Sequence, residues 1–129
     1  MSHILVVDDE QLLLDLIANT LRLEGHEVVA LSDSLDALRL QTIAHRPFDL
    51  LLTDIHSKPI SGFELVKRLA SEGITMPVLF MSGYPAMNGV IASGLGDRAL
   101  LEKPFTAQQL RAAVKKALQR KSAAVPHEA

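Results

Sequence analysis

The chain contains no cysteine and no tryptophan, and aromatic residues make up only 4% of its 129 positions. Without cysteine there can be no disulfide and no thiolate metal site, which is compatible with a reducing compartment. Long hydrophobic runs are missing too. No stretch approaches the roughly 20 residues needed to cross a bilayer. The apolar run Ile4-Leu5-Val6-Val7 is too short for a signal peptide. Neither sign of charge dominates: the formal net charge is −2, which gives no reason to expect nucleic-acid binding. These absences predict a soluble, cytoplasmic protein with neither nucleic acid nor membrane as a partner.

What is present is a core. Hydrophobic residues make up 48% of the chain, which at 129 residues is enough for one globular domain. Four short apolar runs each end on a polar residue. Ile4-Leu5-Val6-Val7 leads into Asp8-Asp9, and Leu50-Leu51-Leu52-Thr53 into Asp54. Val78-Leu79-Phe80-Met81 leads into Ser82, and Ala99-Leu100-Leu101-Glu102 into Lys103-Pro104. Runs of this length between helical stretches read as buried parallel strands.

Five strand-then-helix units follow from the pattern. Strands are predicted at 3–8, 28–31, 49–53, 77–81 and 98–101. A first helix at 10–24 carries Leu13, Ile17 and Leu21 inward with Leu12 and Leu16 beside them, and Gly25 suits its C-terminal cap. The second helix runs 34–45, with Pro47 blocking extension. The third opens on a capping box of Ser61 and Glu64, buries Leu65, Val66 and Leu69, and ends at Gly73. A short fourth helix is expected between Pro85 and Gly96, weakened by Gly89, Gly94 and Gly96. The fifth opens on a second capping box, Thr106 with Gln109, and buries Leu110, Val114, Ala117 and Leu118. Residues 1–121 form the expected domain and 122–129 a flexible tail. Such alternation implies an α/β fold: a flavodoxin-like (βα)5 doubly wound, five-stranded parallel sheet in the order 2-1-3-4-5.

In that order the first and third strands lie side by side, and all strands end at one rim. Asp8, Asp9 and Asp54 therefore meet at the crevice where such sheets place ligands, with Ser82 and Lys103 nearby. Three crowded carboxylates repel one another, and a divalent cation is the usual remedy. Asp8 and Asp9 also suit the N-terminus of the first helix as capping residues. The histidines His3, His26, His45, His56 and His127 share no ligand spacing and predict no transition-metal site. From Lys103 to Lys121 there are Arg111, Lys115, Lys116 and Arg120 but no acid. That run reads first as the solvated face of a terminal helix and second as a docking surface for an acidic partner.

Taken in order, these residues resemble the receiver domain of bacterial two-component response regulators. The resemblance covers about residues 2–121. It rests on Val6-Val7-Asp8-Asp9-Glu10, Asp54, Gly62 at its usual offset, Ser82-Gly83 and Lys103-Pro104-Phe105. It implies reversible, Mg2+-dependent (or Mn2+-dependent) phosphorylation of Asp54 by a histidine kinase or histidine phosphotransfer protein. By the same resemblance Asp9 binds the ion directly, Asp8 acts more through water, and the backbone carbonyl of His56 completes the set with Asp54. Lys103 reaches the phosphoryl oxygens, directed by a cis Lys103-Pro104 peptide, and Ser82 donates its hydroxyl once Asp54 is modified. Gly83 leaves room for the donor. The side chains of His56 and Tyr84 tune phosphoryl lifetime.

Three features depart from the family pattern. Leu100 stands where receivers usually carry an aromatic residue. The proline after the third strand comes one residue late, so Lys58 adds a positive charge near the site. The stretch around the fourth helix is rich in glycine. The leading expectation is a stand-alone receiver, with a piece of a longer protein as the other reading of so short a chain, that catalyses only its own phosphorylation and dephosphorylation and is not otherwise an enzyme. Its output would be a contact with an unidentified downstream protein or onward phosphotransfer. The alternative is a pseudo-receiver, the same fold used as a phosphorylation-independent interaction module. An enzyme on this fold is disfavoured because Asp9-Glu10-Gln11 occupies the place of a glycine-rich phosphate loop and would repel phosphate.

Overall fold

The computed structural model describes residues 2–43, 48–83 and 99–124. Its elements in chain order are β1 (His3–Val7), α1 (Gln11–Leu23), β2 (Glu27–Leu31), α2 (Ser34–Ile43), β3 (Leu50–Asp54), α3 (Gly62–Ser71), β4 (Val78–Ser82), β5 (Ala99–Glu102) and α4 (Ala107–Ala124). The strands form one parallel sheet in the order β2-β1-β3-β4-β5, as the alternation predicts. The helix expected between Pro85 and Gly96 lies outside the described residues, as do His45, Pro47 and the last five positions. α4 continues to Ala124, three residues past the boundary expected at Lys121.

Both faces of the sheet are covered, which is why the strands read as continuous apolar runs rather than alternating ones. Ile4, Val6, Leu50, Leu52, Leu79 and Met81 face α1 and α4. Leu5, Val7, Leu51 and Phe80 face the opposite layer, with Ala37 of α2 and Leu65 and Leu69 of α3. A fully buried leucine is worth about 1.5–3 kcal/mol. The three central strands β1, β3 and β4 are almost wholly buried, whereas β2 at the edge is half-exposed. The sheet is therefore anchored where its strand ends carry the functional residues.

The helices confirm the local signals unevenly. The box at α4 is complete: the Thr106 amide donates to Gln109 Oε1 at 2.8 Å and the Gln109 amide to Thr106 Oγ1 at 3.0 Å. At α3 only half of it forms. The Glu64 amide donates to Ser61 Oγ at 3.1 Å, while the Glu64 carboxylate pairs with Arg68 at 2.9 Å. Gly25 follows α1 at φ 91°, a conformation that disfavours any side chain. The inward face of α1 is set differently from the expected stripe. Leu14, Ile17, Ala18 and Leu21 are buried and Leu13 is half-buried. Leu12 is 84% and Leu16 56% exposed, because they lie on the side of the helix away from the sheet.

Gly62 opens α3 directly against the end of β3. Its amide donates to the Ile55 carbonyl at 2.8 Å. A Cβ at this position would lie 2.6 Å from the Asp54 carbonyl oxygen and 3.2 Å from Ile55 Cα. Both obstacles are backbone and cannot swing aside. Gly62→Ala is expected to cost about 1–3 kcal/mol, read as a lower urea midpoint at unchanged slope. Gly83→Ala is the contrast, since its Cβ would make ordinary contact with Lys103 at 3.8 Å. Equal midpoints for the two variants would show that α3 is not seated on Asp54.

Candidate functional site

The rim is assembled by register. Val7 pairs with Thr53, and Asp54 with Met81, so Asp8 and Asp54 emerge side by side from β1 and β3. Ser82 pairs with Glu102, which places Lys103 immediately beyond β5 next to the end of β4. The Lys103 amide donates to the Ser82 carbonyl at 2.8 Å, and Phe105 packs on the core facing α1 and α4. The Lys103–Pro104 peptide is cis, and so is Lys58–Pro59. Lys103 is thus tied by its backbone to the end of β4, two residues before a half-buried ring packed on the core, and its ammonium crosses the rim.

That ammonium bridges two carboxylates. Lys103 Nζ lies 2.8 Å from Asp8 Oδ2 and 2.9 Å from Asp54 Oδ2, with only 16% of its side chain exposed. Asp8 is fully buried, and its other oxygen accepts the Glu10 amide at 2.8 Å. Asp8 therefore both serves the rim and satisfies a backbone group at the start of α1. Asp9 is exposed. The N-cap of α1 is Glu10, which makes no side-chain capping bond. Asp54 is nearly buried, and its Oδ1 accepts the His56 amide at 2.8 Å.

Burial is the largest influence on both members of the pair. It raises the Asp8 carboxyl above its ordinary value, against the opposing pull of Lys103 and the Glu10 amide. Burial alone would lower the Lys103 ammonium. Hydrogen bonds and charge from Asp8 and Asp54 more than offset it, so Lys103 is held above the usual lysine range. The lysine is firmly charged, and the acids around it outnumber it.

Oxygen atoms of Asp8, Asp9 and Asp54 all lie within 4.8 Å of one another. An all-oxygen, anionic donor set suits a hard divalent cation and not a soft one. A desolvated carboxylate such as Asp8 gains most from such an ion. The other predicted positions divide. His56 is half-buried and tied to Asp54 through its backbone, and Lys58 is exposed, its carbonyl accepting the Ser34 amide at 3.0 Å. Tyr84 lies outside the described residues. Leu100 pairs in register with Phe80 and packs with the layer of α2 and α3. The sequence reading missed Ser34 and Ser57, whose hydroxyls both reach the Ile60 carbonyl in the loop after β3. One signal was available: Asp33 precedes the second helix and can cap it, which leaves the Ser34 hydroxyl free for another task.

The family profile described as response regulator receiver domain matches residues 4–115. The chain is 31% identical over 126 residues to the alkaline phosphatase synthesis transcriptional regulatory protein PhoP of Bacillus subtilis, covering 97% of this chain and 52% of that protein. Among solved structures, a response regulator receiver protein from Sinorhizobium medicae is 34% identical, with a TM-score of 0.78 and coverage of 93% of this chain and 96% of that one. A response regulator receiver domain protein from Clostridium thermocellum is 30% identical, with a TM-score of 0.81 and coverage of 95% and 98%. With its fold, its acidic rim and these matches in agreement, the chain belongs to the response regulator receiver domain family. It spans about half the length of the first curated relatives it matches. Among the described residues, no helix is long and apolar enough to cross a membrane.

Proposed function

We propose that the chain is a phosphoryl-accepting signalling switch, with Asp54 as acceptor and a histidine kinase or histidine phosphotransfer protein as donor. The observation that carries the reading is the Lys103 ammonium bridging Asp8 and Asp54 beside exposed Asp9. An Asp54 oxygen attacks the phosphorus of a partner's phosphohistidine. The new O–P bond forms as the P–N bond breaks, and the electron pair leaves with the imidazole. Such transfers depend on alignment and charge neutralisation more than on covalent assistance. Lys103 neutralises charge on the phosphoryl oxygens, and Ser82 at the end of β4 supplies a hydroxyl to one of them. Asp8, Asp9, Asp54 and the His56 carbonyl would hold Mg2+ (or Mn2+). When bound, the ion offsets acids that Lys103 alone leaves in excess.

The switch acts in the cytoplasm, and its output is a protein contact or onward phosphotransfer from a single receiver domain. Solved receiver proteins that this chain covers by 96–98% support one such unit as sufficient for the fold. Intact-mass measurement after incubation with acetyl phosphate or phosphoramidate, with and without Mg2+, tests the chemistry. One phosphoryl adduct that requires the cation is the expected result. Folded protein that binds Mg2+ yet takes no adduct would favour the pseudo-receiver. Protein that does neither would overturn the reading.

A further inference from the structure

We propose that Ser34, at the start of α2, is a positioning residue that latches the loop after β3 and so sets the groups that loop presents to Asp54. Ser34 is fully buried, and its side chain makes a two-way clamp on one residue. Its hydroxyl donates to the Ile60 carbonyl at 2.7 Å and accepts the Ile60 amide at 2.9 Å. Its own amide donates to the Lys58 carbonyl at 3.0 Å. Three bonds thus join a single residue of α2 to the segment 58–60, two of them across 26 positions of sequence.

Ser34 is itself held rigidly. Asp33 Oδ1 accepts the Leu35 amide at 2.8 Å and the Asp36 amide at 3.1 Å, so Asp33 caps α2 and the serine hydroxyl is spared that duty. The latched loop is short, and its near end carries His56, whose amide donates to Asp54 Oδ1 at 2.8 Å. Its far end is Gly62, bonded back to Ile55 at 2.8 Å. Ser57 reinforces the clamp, with Oγ 3.0 Å from the same Ile60 carbonyl. The loop therefore has two attachments, one at the acid and one at α2. Only a hydroxyl both donates and accepts at this point; alanine loses both bonds, and a thiol makes them weakly.

Groups that orient ligands from one layer back commonly change metal affinity 10–100-fold when removed. The metal part of this inference rests on the receiver reading above; the latch itself does not. Amide hydrogen exchange in metal-free protein comes first, comparing Ser34→Ala, Ser34→Cys and Ala37→Gly. Ala37 is buried in the same helix, so its variant loosens α2 without cutting the latch. Exchange at His56 and Ile60 is expected to rise in the order wild type, Ser34→Cys, Ser34→Ala, and to stay at the wild-type rate in Ala37→Gly. Titration with Mg2+ should show about tenfold weaker binding in Ser34→Ala alone. Wild-type exchange at His56 in Ser34→Ala, or equal acceleration in Ala37→Gly, would overturn the latch. Wild-type protein that binds no Mg2+ would instead count against the receiver reading, and the exchange comparison would still decide the latch.

Discussion

Asp54→Asn is expected to take up no phosphoryl group from acetyl phosphate with Mg2+ present, a loss of at least about 100-fold on the intact-mass readout. The amide oxygen is a far poorer nucleophile than the carboxylate and cannot balance charge across the rim. Its effect on the fold is expected to be small. The amide oxygen can still accept from His56, and Asp8 still pairs with Lys103 at 2.8 Å. What changes is the second contact, where an amide nitrogen would face an ammonium now 2.9 Å from Asp54 Oδ2. Retained folding with no adduct assigns the acceptor. An adduct that persists in Asp54→Asn and maps by fragmentation to Asp9, the exposed acid of the three, would move the chemistry to the wrong strand and sink the assignment.

Lys103→Ala should move two quantities in opposite directions. Phosphoryl uptake slows by about 100-fold, the scale on which removing a charge-stabilising donor usually acts. Mg2+ binds about tenfold more tightly, because the ammonium that repels a cation and occupies two carboxylates is gone. Metal-free protein is destabilised by about 1–3 kcal/mol, since Asp8 is left buried with the Glu10 amide as its remaining hydrogen-bond donor among the described residues. Mg2+ restores that loss. Rapid-quench uptake, Mg2+ titration and urea unfolding with and without the ion measure the three effects. Uptake and Mg2+ affinity falling together would show that Lys103 builds the rim rather than acting at it.

The rim was legible in the sequence because topology does most of the work. Lys103 and Asp8 are 95 residues apart, yet parallel strands must end at one edge, so strand-terminal polar residues meet whatever lies between them. The Thr106–Gln109 box was legible because it is local, complete within four residues. Ser34 was not, since its partner Ile60 is reached only when the loop after β3 folds back over α2. The reason for Gly62 was equally hidden. Its motif position is visible in sequence, but the 2.6 Å approach to Asp54 belongs to the way α3 docks. Glu64 shows the limit of local signals: beside the expected partner stood Arg68, one turn on, and the ion pair won the carboxylate.

The outer side of α1 bears on how the chain finds its fold. Leu12, Leu16 and Leu23 are exposed along one stripe, opposite the buried set led by Leu14, Ile17 and Leu21. A surface helix with two apolar stripes has two rotations about its own axis that would bury leucines against the sheet. Hydrophobic drive alone discriminates poorly between them, so this helix is a point of local frustration. Asn19 and Asp15 break the tie. Asn19 lies within the outer stripe, exposed, with Asp15 on its flank. Turning that stripe inward would strip both polar groups of water for a few kcal/mol each. Asn19 and Asp15 among the leucines thus favour the rotation that starts α1 with the Glu10 amide on Asp8 and Asp9 beside it at the rim.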